Sequence, residues 1–305
     1  ASVAEKMEDM RRNHDWLRTC IMQQPRGFLS LVGAILTEPC SPEADYGVFY
    51  IDALTYQPMC GAGTLSVAKA LVETGMVKRV EPETKIVLET PTGLVAVYVK
   101  WENHTVASIN LENVPAFLYR KDLHIDLAGY GDVSVDIGYG GNFFVLADVH
   151  SLGLTITKDT VNLLRSLSKD ILAAANKVIK VAHPTNPAIN YLDQVLFCQN
   201  VPEEDGGYLA QCIFGDAQAD ISPCGTGTST RLAQRYFRGL IGLEETFVQK
   251  SVCGGAFHAK GLRETTLGGV PAIVPYVSCS DVHITGFNHL IVEENDKLKN
   301  GFVSW

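Results

Sequence analysis

Two stretches of the chain combine thiols with a backbone that can approach a ligand closely. They are MCGAGTLSVAKALVETG, which contains Cys60, and PCGTGTSTRLAQRYFRG, which contains Cys224. In both, the cysteine precedes Gly-x-Gly-Thr and a helix-like run that ends in a glycine fifteen residues after the cysteine, at Gly75 and Gly239. The unpaired amides and the dipole of a helix N-terminus stabilise a thiolate. Each cysteine is therefore a candidate acid or base.

The same first-turn amides suit an anion. Neither copy has the Lys-Ser/Thr of a P-loop or a full Gly-x-Gly-x-x-Gly, so a carboxylate fits better than a nucleotide phosphate. A carboxylate held by both sets of amides would place its α-carbon between two sulfurs. One thiolate would remove the α-proton, the opposite thiol would deliver another, and the amides would stabilise the developing charge. The two motifs together predict inversion at the α-carbon without a cofactor. The alternative is that both are ordinary helix caps whose cysteines are simply buried.

The residues just before the second motif, FGDAQADISPCGTGT, extend this prediction. Asp220 lies four residues ahead of Cys224 and can pair with the ammonium of an amino or imino acid. Phe214, six residues before Asp220, can form an apolar wall. Without a role in binding, Asp220 would cap a turn and Phe214 would be a core aromatic. Asp216, the competing acid, is expected to be a solvated turn residue.

Composition restricts the class of partner. The chain has 305 residues, 46% hydrophobic residues and a formal charge of -9 without a basic stripe, so no nucleic-acid partner is expected. Its apolar runs are too short for a bilayer, and we expect a small-molecule partner and no membrane association. The eight cysteines include no Cys-x-x-Cys, and no His/Asp/Glu cluster has metal spacing, so we expect no metal and a reduced, cytoplasmic protein. Most of the other cysteines have apolar neighbours and are expected to be buried: Cys20, Cys198, Cys212, Cys253 and Cys279.

The elements that position the two motifs follow one order twice. A helical stripe over residues 4–24 ends at PRG, and strands lead to the first motif and follow it. GDVSVDIGYGGNFFVLADV opens a second half, in which a helix over about residues 158–181 and further strands precede the second motif. The repeat predicts two copies of one α/β unit that face each other across a cleft.

Several further motifs match a known family. MCGAGT, SPCGTGTS, QPRG at 24–27, HD at 14–15, GGNFF at 140–144, QAD at 218–220, and GFN followed by KNGF resemble the proline racemase family over essentially the whole chain. The resemblance implies an α/β (α+β) fold of diaminopimelate epimerase-like type. Two pseudo-symmetric lobes would each wrap mostly antiparallel strands around a helix, with the active site in the cleft between them. We assign residues 1–128 and 284–305 to the first lobe and 129–283 to the second.

The resemblance also implies site residues. The two acid/base cysteines of the family fall on Cys60 and Cys224, and the acid that meets the substrate nitrogen falls on Asp220. The carboxylate-binding amides fall on four residues: Gly61, Ala62, Gly225 and Thr226. The family works without pyridoxal phosphate or metal, so no cofactor is expected, and a homodimer is common in similar proteins.

The chain departs from the family at three points that bear on activity. Ala62 stands where the family usually has histidine, and the strand that usually precedes the first helix is missing. The ring wall opposite Phe214 is Val32 rather than the phenylalanine of proline enzymes, and Gln194 can offer a hydrogen bond to a ring hydroxyl. Proline and 4-hydroxyproline therefore both remain candidate substrates of the predicted racemase or epimerase.

Three other functions are compatible with the sequence. Threonine in place of the second cysteine goes with 3-hydroxyproline dehydratases, so Cys224 favours racemisation or epimerisation over dehydration. A non-catalytic imino-acid-binding protein would retain the pocket but exchange no α-proton. A cysteine-nucleophile hydrolase is disfavoured because neither cysteine has an obvious histidine partner in sequence.

Overall fold

The chain folds into two compact units. The computed structural model describes residues 1–200 and 207–303. Ala1–Ile109 and Val282–Trp305 form the first unit, and Asn110–Asp281 forms the second. The C-terminal segment of the chain is thus part of the same unit as its N-terminal helices.

The boundary between the first and the second unit lies after Ile109. The sequence predicted this boundary later in the chain, after residue 128. Phe117–Leu127 and Gly131–Tyr139 pair as an antiparallel hairpin with Leu127 opposite Gly131. A division after residue 128 would cut the turn of this hairpin. The compact second unit begins ahead of it, at Asn110.

The first unit is a sheet with helices against its strands. Its strands have the order β1-β2-β4-β5-β6, and β3 pairs with β2. Helix α3 contacts β1 and β5, whereas α1 and α2 contact β2. The elements are α1 (Val3–Asn13), α2 (Asp15–Met22), β1 (Val32–Thr37), β2 (Tyr46–Asp52), β3 (Tyr56–Gln57), α3 (Gly61–Glu73), β4 (Glu83–Thr90), β5 (Gly93–Glu102) and β6 (Thr105–Glu112), which continues into the second unit.

The N-terminal helical stripe is two helices, where the sequence predicted one over residues 4–24. His14 leaves the helical region at φ -135°, although its N–H still donates to the Met10 carbonyl at 2.8 Å. Asp15 starts α2 and accepts from both Arg18 Nε and Arg18 Nη2, at 2.7 and 2.9 Å. Arg18 also donates to the carbonyl of Ala53 at 2.7 Å. The buried bond from Arg18 to Ala53 fixes α2 on the end of β2, and the partly buried pair of Asp15 and Arg18 holds the first turn of α2.

The second unit wraps a curved sheet around one helix. Its strand order is β15-β14-β13-β11-β10-β9-β8-β7, with β12 on β11, and Ala116 bridges to Ile273 to join its ends. Helix α5 contacts β7, β8, β9, β14 and β15. The elements are β7 (Phe117–Leu127), β8 (Gly131–Tyr139), β9 (Phe143–Asp148), a 3-10 turn (Val149–Leu152), α4 (Val161–Val178), β10 (Gln194–Asn200), β11 (Tyr208–Phe214), β12 (Gln218–Ala219), α5 (Gly225–Phe237), β13 (Phe247–Lys250), β14 (Ala256–Leu267) and β15 (Val270–Cys279).

The predicted α/β (α+β) class is confirmed, with mostly antiparallel pairing around a helix in the second unit. Helix α4 lies within the predicted range 158–181. No helix in the described ranges is long and apolar enough to span a membrane.

The cysteines outside the two motifs are buried with two exceptions. All eight are free thiols, and Cys20, Cys198, Cys212 and Cys279 are buried as predicted. The prediction for Cys253 is wrong, because its side chain is exposed. Cys253 lies in a turn closed by a hydrogen bond from Gly254 N to the Ser251 carbonyl, outside the packed strands. Cys40 is also exposed.

Candidate active site

Cys60 is the N-cap of α3 in the first unit. Its sulfur accepts a hydrogen bond from the Gly63 amide at 3.3 Å, and its carbonyl accepts from the Thr64 amide at 2.8 Å. The buried Tyr50 hydroxyl meets the Thr64 hydroxyl at 2.5 Å and so fixes the first turn. Cys60 itself is partly exposed. The first turn thus points an amide at a reachable sulfur.

Cys224 is the N-cap of α5 in the second unit, with the same bonding. Its sulfur accepts from the Gly227 amide at 3.3 Å, and its carbonyl accepts from the Thr228 amide at 2.7 Å. The Thr226 hydroxyl lies 3.7 Å from the same sulfur. Both predicted acid/base cysteines therefore occupy equivalent positions in their helices.

Glycine at the third helical position allows this close contact in both units. A Cβ on Gly63 would lie 2.8 Å from the Tyr50 ring and 3.3 Å from the Cys60 sulfur. A Cβ on Gly227 would lie 3.0 Å from the Cys224 sulfur and 3.1 Å from Leu196. Each glycine of the Gly-x-Gly-Thr motif thus leaves room for a thiolate beside the amides that stabilise it.

The two caps differ in backbone conformation. Cys60 has an ordinary extended conformation at φ -141°, whereas Cys224 has φ +65°, which costs a non-glycine residue energy. The loop before Cys224 is anchored against this strain. Gln249 Nε2 donates to the Pro223 carbonyl at 2.8 Å, and the Ser222 hydroxyl accepts from the Cys224 amide at 3.0 Å. The surrounding structure therefore aims the Cys224 side chain.

Asp220 lies next to Cys224. A carboxylate oxygen of Asp220 is within 4.8 Å of the Cys224 sulfur, and Oδ1 accepts from the Ser222 amide at 2.8 Å. Part of the residue surface reaches solvent, but protein atoms surround the carboxyl group. This desolvation raises the pKa of Asp220 to about 6, despite the opposing hydrogen bonds from Ser222. Asp216, in contrast, is exposed and pairs with Lys169 at 2.7 Å, as predicted for a solvated turn residue.

Phe214 and Gln194 are direct cross-strand neighbours on β11 and β10. Both are buried, each at 5% exposure. Leu196, two residues after Gln194, reaches the first turn of α5 near Gly227. Because residues two apart in a strand share a face, Gln194 and Phe214 lie on the face that points toward α5. The structure thus pairs Phe214 with Gln194 on the sheet face toward α5 and sets Asp220 beside Cys224.

The remaining predicted binding residues lie at the start of the helices and of the first strand. Gly61 and Ala62 are the first two residues of α3, and Gly225 and Thr226 are the first two of α5. Amides at these positions have no partner within their helix. Val32 is the first residue of β1 in the first unit and is partly buried.

The sequence predicted Cys212 only as a buried hydrophobe, and the structure places it beside two predicted site residues. Its sulfur lies within 4.8 Å of both the Asp220 carboxylate and the Cys224 sulfur. The hairpin of β11 and β12 brings it there, since Phe214 pairs with Gln218 and the Asp220 amide donates to the Cys212 carbonyl at 3.0 Å. The short turn GDA between two strand-like runs was the available signal, because it sets Cys212 opposite Asp220.

Comparisons with known proteins identify the family. A family profile described as proline racemase matches residues 1–303. The chain belongs to the proline racemase family. One relative is the proline racemase of Clostridioides difficile, which is 38% identical over 302 residues, 99% of this chain and 90% of that protein. Another is the trans-3-hydroxy-L-proline dehydratase of Azospirillum brasilense, 36% identical over 303 residues, with the same coverage.

A solved hydroxyproline epimerase has the same fold. It comes from Agrobacterium vitis and carries bound trans-4-hydroxy-L-proline. The two structures superpose with a TM-score of 0.92 and 29% sequence identity, and the match covers 99% of this chain and 87% of the other. The predicted fold type is thereby confirmed. The predicted enzyme class, an isomerase acting on proline or hydroxyproline, is confirmed at the level of the family.

Proposed function

We propose that this protein inverts the α-carbon of proline or a hydroxyproline by a two-thiol acid/base reaction. The observation that carries the proposal is the pair of equivalent caps, in which Cys60 and Cys224 each accept a helix amide on sulfur at 3.3 Å. A sulfur at such a cap is favoured as thiolate. One cysteine as thiolate removes the α-proton, and the other as thiol returns a proton to the opposite face of the carbanion.

The substrate is held through its charged groups. Asp220 accepts the ring ammonium in a charge-assisted hydrogen bond. The amides of Gly61, Ala62, Gly225 and Thr226 donate to the substrate carboxylate. Negative charge grows on that carboxylate as the α-proton leaves, so these donors stabilise the carbanion more than the bound substrate. Ala62 supplies its amide for this role without the side chain that the family usually has there.

Gln194 favours 4-hydroxyproline as a second candidate substrate. Its side chain is buried beside Phe214, and we propose that it offers a hydrogen bond to a ring hydroxyl. The relative that carries bound trans-4-hydroxy-L-proline supports the same assignment. We propose Phe214 and Val32 as apolar walls, which would accept proline equally. We therefore propose activity on both substrates. The main activity is either proline racemisation or 4-hydroxyproline 2-epimerisation.

The dehydratase relative makes trans-3-hydroxy-L-proline the necessary third substrate in any test. Incubation of the purified chain with L-proline, trans-4-hydroxy-L-proline and trans-3-hydroxy-L-proline, followed by chiral chromatography, separates the alternatives. We expect D-proline and cis-4-hydroxy-D-proline. Loss of water from the 3-hydroxy substrate without inversion of the other two would make the protein a dehydratase. Binding of these imino acids without formation of any product would make it a binding protein.

A further inference from the structure

Cys212, Asp220 and Cys224 bring three ligand atoms to one place. The two sulfurs and a carboxylate oxygen all lie within 4.8 Å of one another. Within residues 1–200 and 207–303 this is the one group of three such side chains with metal-binding proximity. Sequence spacing did not reveal it, because one ligand comes from β11, one from the residue that follows β12, and one from the cap of α5.

The backbone holds the three residues in place before any ligand binds. The Asp220 amide donates to the Cys212 carbonyl at 3.0 Å, which ties β11 to the segment after β12. Ser222 links the other pair: its amide donates to Asp220 Oδ1 at 2.8 Å, and its hydroxyl accepts from the Cys224 amide at 3.0 Å. Ser251 in turn donates to the Ile221 carbonyl at 2.9 Å. Such supporting contacts orient metal ligands.

This set of donors suits a thiophilic divalent cation. Zinc binds thiolate sulfur at about 2.3 Å and carboxylate oxygen at about 2.0 to 2.2 Å, in tetrahedral geometry. Ligand atoms around such an ion are therefore about 3.5 to 3.8 Å apart. Side-chain movements of about 1 Å bring atoms that now lie within 4.8 Å to this separation. A water molecule takes the fourth position.

Charge and access also fit a cation. A divalent cation binds a cysteine such as Cys224 as the thiolate, which is the first negative charge of the site. Asp220 adds a second negative charge and is the most exposed of the three, whereas Cys212 and Cys224 are 1% and 6% exposed. A cation would therefore enter on the side of the group where part of the Asp220 residue surface reaches solvent, and it would displace the thiol protons to solvent.

We propose that Cys212, Asp220 and Cys224 form an inhibitory site for a thiophilic divalent cation such as Zn²⁺. The bound ion occupies the Cys224 sulfur and the Asp220 carboxylate, so neither is available to an imino acid. Binding of the ion stands on the geometry alone, whereas its inhibitory effect rests on the proposed function. Cys212 allows cation binding to be tested separately from catalysis, because it is a proposed ligand of the ion and has no part in the proposed reaction.

The test compares Cys212→Ala with Cys198→Ala, a matched control. Cys198 is a buried cysteine on the neighbouring strand whose sulfur donates to the Leu196 carbonyl. Zn²⁺ affinity is measured on reduced protein by competition with a chromophoric chelator, and Co²⁺ is used to detect thiolate-to-metal absorption. We expect one tight site in wild type and in Cys198→Ala. In Cys212→Ala, affinity should fall by more than about 100-fold, since supporting contacts alone are worth about 10- to 100-fold.

Inhibition is measured on the same proteins. Cys212→Ala should keep its activity without metal and need more than about 100-fold more Zn²⁺ for half inhibition, in step with its affinity. Equal Zn²⁺ affinity in wild type and Cys212→Ala would overturn the proposal. Tight binding in a protein that racemises nothing would leave the cation site standing and refute the proposed function instead.

X-ray absorption of the zinc-loaded wild type gives a result that does not depend on any variant's folding. Two sulfur ligands at about 2.3 Å are expected, together with lighter ligands at about 2.0 Å. A zinc shell with oxygen and nitrogen neighbours only, or with one sulfur, would contradict the site.

Discussion

The carboxylate of Asp220 lies within 4.8 Å of the Cys224 sulfur. In an imino acid, the nitrogen and the α-hydrogen are attached to the same carbon. A ring ammonium paired with Asp220, as proposed, would bring its α-carbon close to the sulfur of Cys224. This relationship joins the binding role proposed for Asp220 to the proton transfer proposed for Cys224.

Replacing Asp220 by asparagine should weaken substrate binding. Loss of one partner of a desolvated charge pair costs about 2 to 5 kcal/mol, so kcat/KM should fall by at least about 30-fold. Asp216→Asn is the matched control, because Asp216 belongs to the same hairpin but is exposed. Steady-state kinetics on L-proline and trans-4-hydroxy-L-proline give the comparison. Wild-type kinetics in Asp220→Asn would remove Asp220 from the site.

The raised pKa of Asp220 predicts an acid limb in the pH profile. Below its pKa of about 6 the carboxyl group is protonated and cannot pair with the ammonium, so kcat/KM should fall as the pH drops through this value. A bound ammonium favours the carboxylate, so the same limb in kcat should lie at lower pH. Asp220→Asn should lack the inflection near pH 6. An identical acid limb in that variant would assign it to another group.

Val32 and Gln194 should control the choice between proline and 4-hydroxyproline. Val32→Phe adds bulk to the ring wall, so activity on 4-hydroxyproline should fall more than activity on proline. Gln194→Leu leaves the ring hydroxyl unpaired at a cost of about 1 to 3 kcal/mol, with little effect on proline. The readout is the ratio of kcat/KM for the two substrates. An unchanged ratio in both variants would show that these residues do not set specificity.

Alkylation by iodoacetamide should inactivate the protein through Cys60 or Cys224. Thiolate character and access govern the reaction, and the helix caps favour the thiolate. Cys40 and Cys253 are exposed and should also be labelled, but without loss of activity. Mass mapping along the inactivation time course separates these events, and a proline analogue with a carboxylate should protect only the two caps. Loss of activity that follows labelling of Cys253 instead would refute the assignment.

The sequence predicted the parts of the site that depend on local pattern. The Cys-Gly-x-Gly-Thr repeats were sufficient to place Cys60 and Cys224 at helix caps, because caps are set by a few consecutive residues. The break at His14 was not predicted, since it depends on Arg18 reaching the carbonyl of Ala53 across the fold. The position of Cys212 depends likewise on strand register, which places it beside Asp220. The spacing of residues within one segment does not predict which distant segments that segment contacts.

The two-thiol mechanism is tested most directly by the reaction in D₂O of wild type, Cys60→Ser and Cys224→Ser, with Cys198→Ala as a buried-cysteine control. L-proline and trans-4-hydroxy-L-proline are incubated with each protein, and the product is analysed for configuration and for deuterium on the α-carbon. Wild type and Cys198→Ala should give inverted product with one deuterium on the α-carbon. Both serine variants should give no inversion, because a serine hydroxyl is too weakly acidic to replace a thiolate base. Inversion at near wild-type rate in either serine variant would contradict the mechanism.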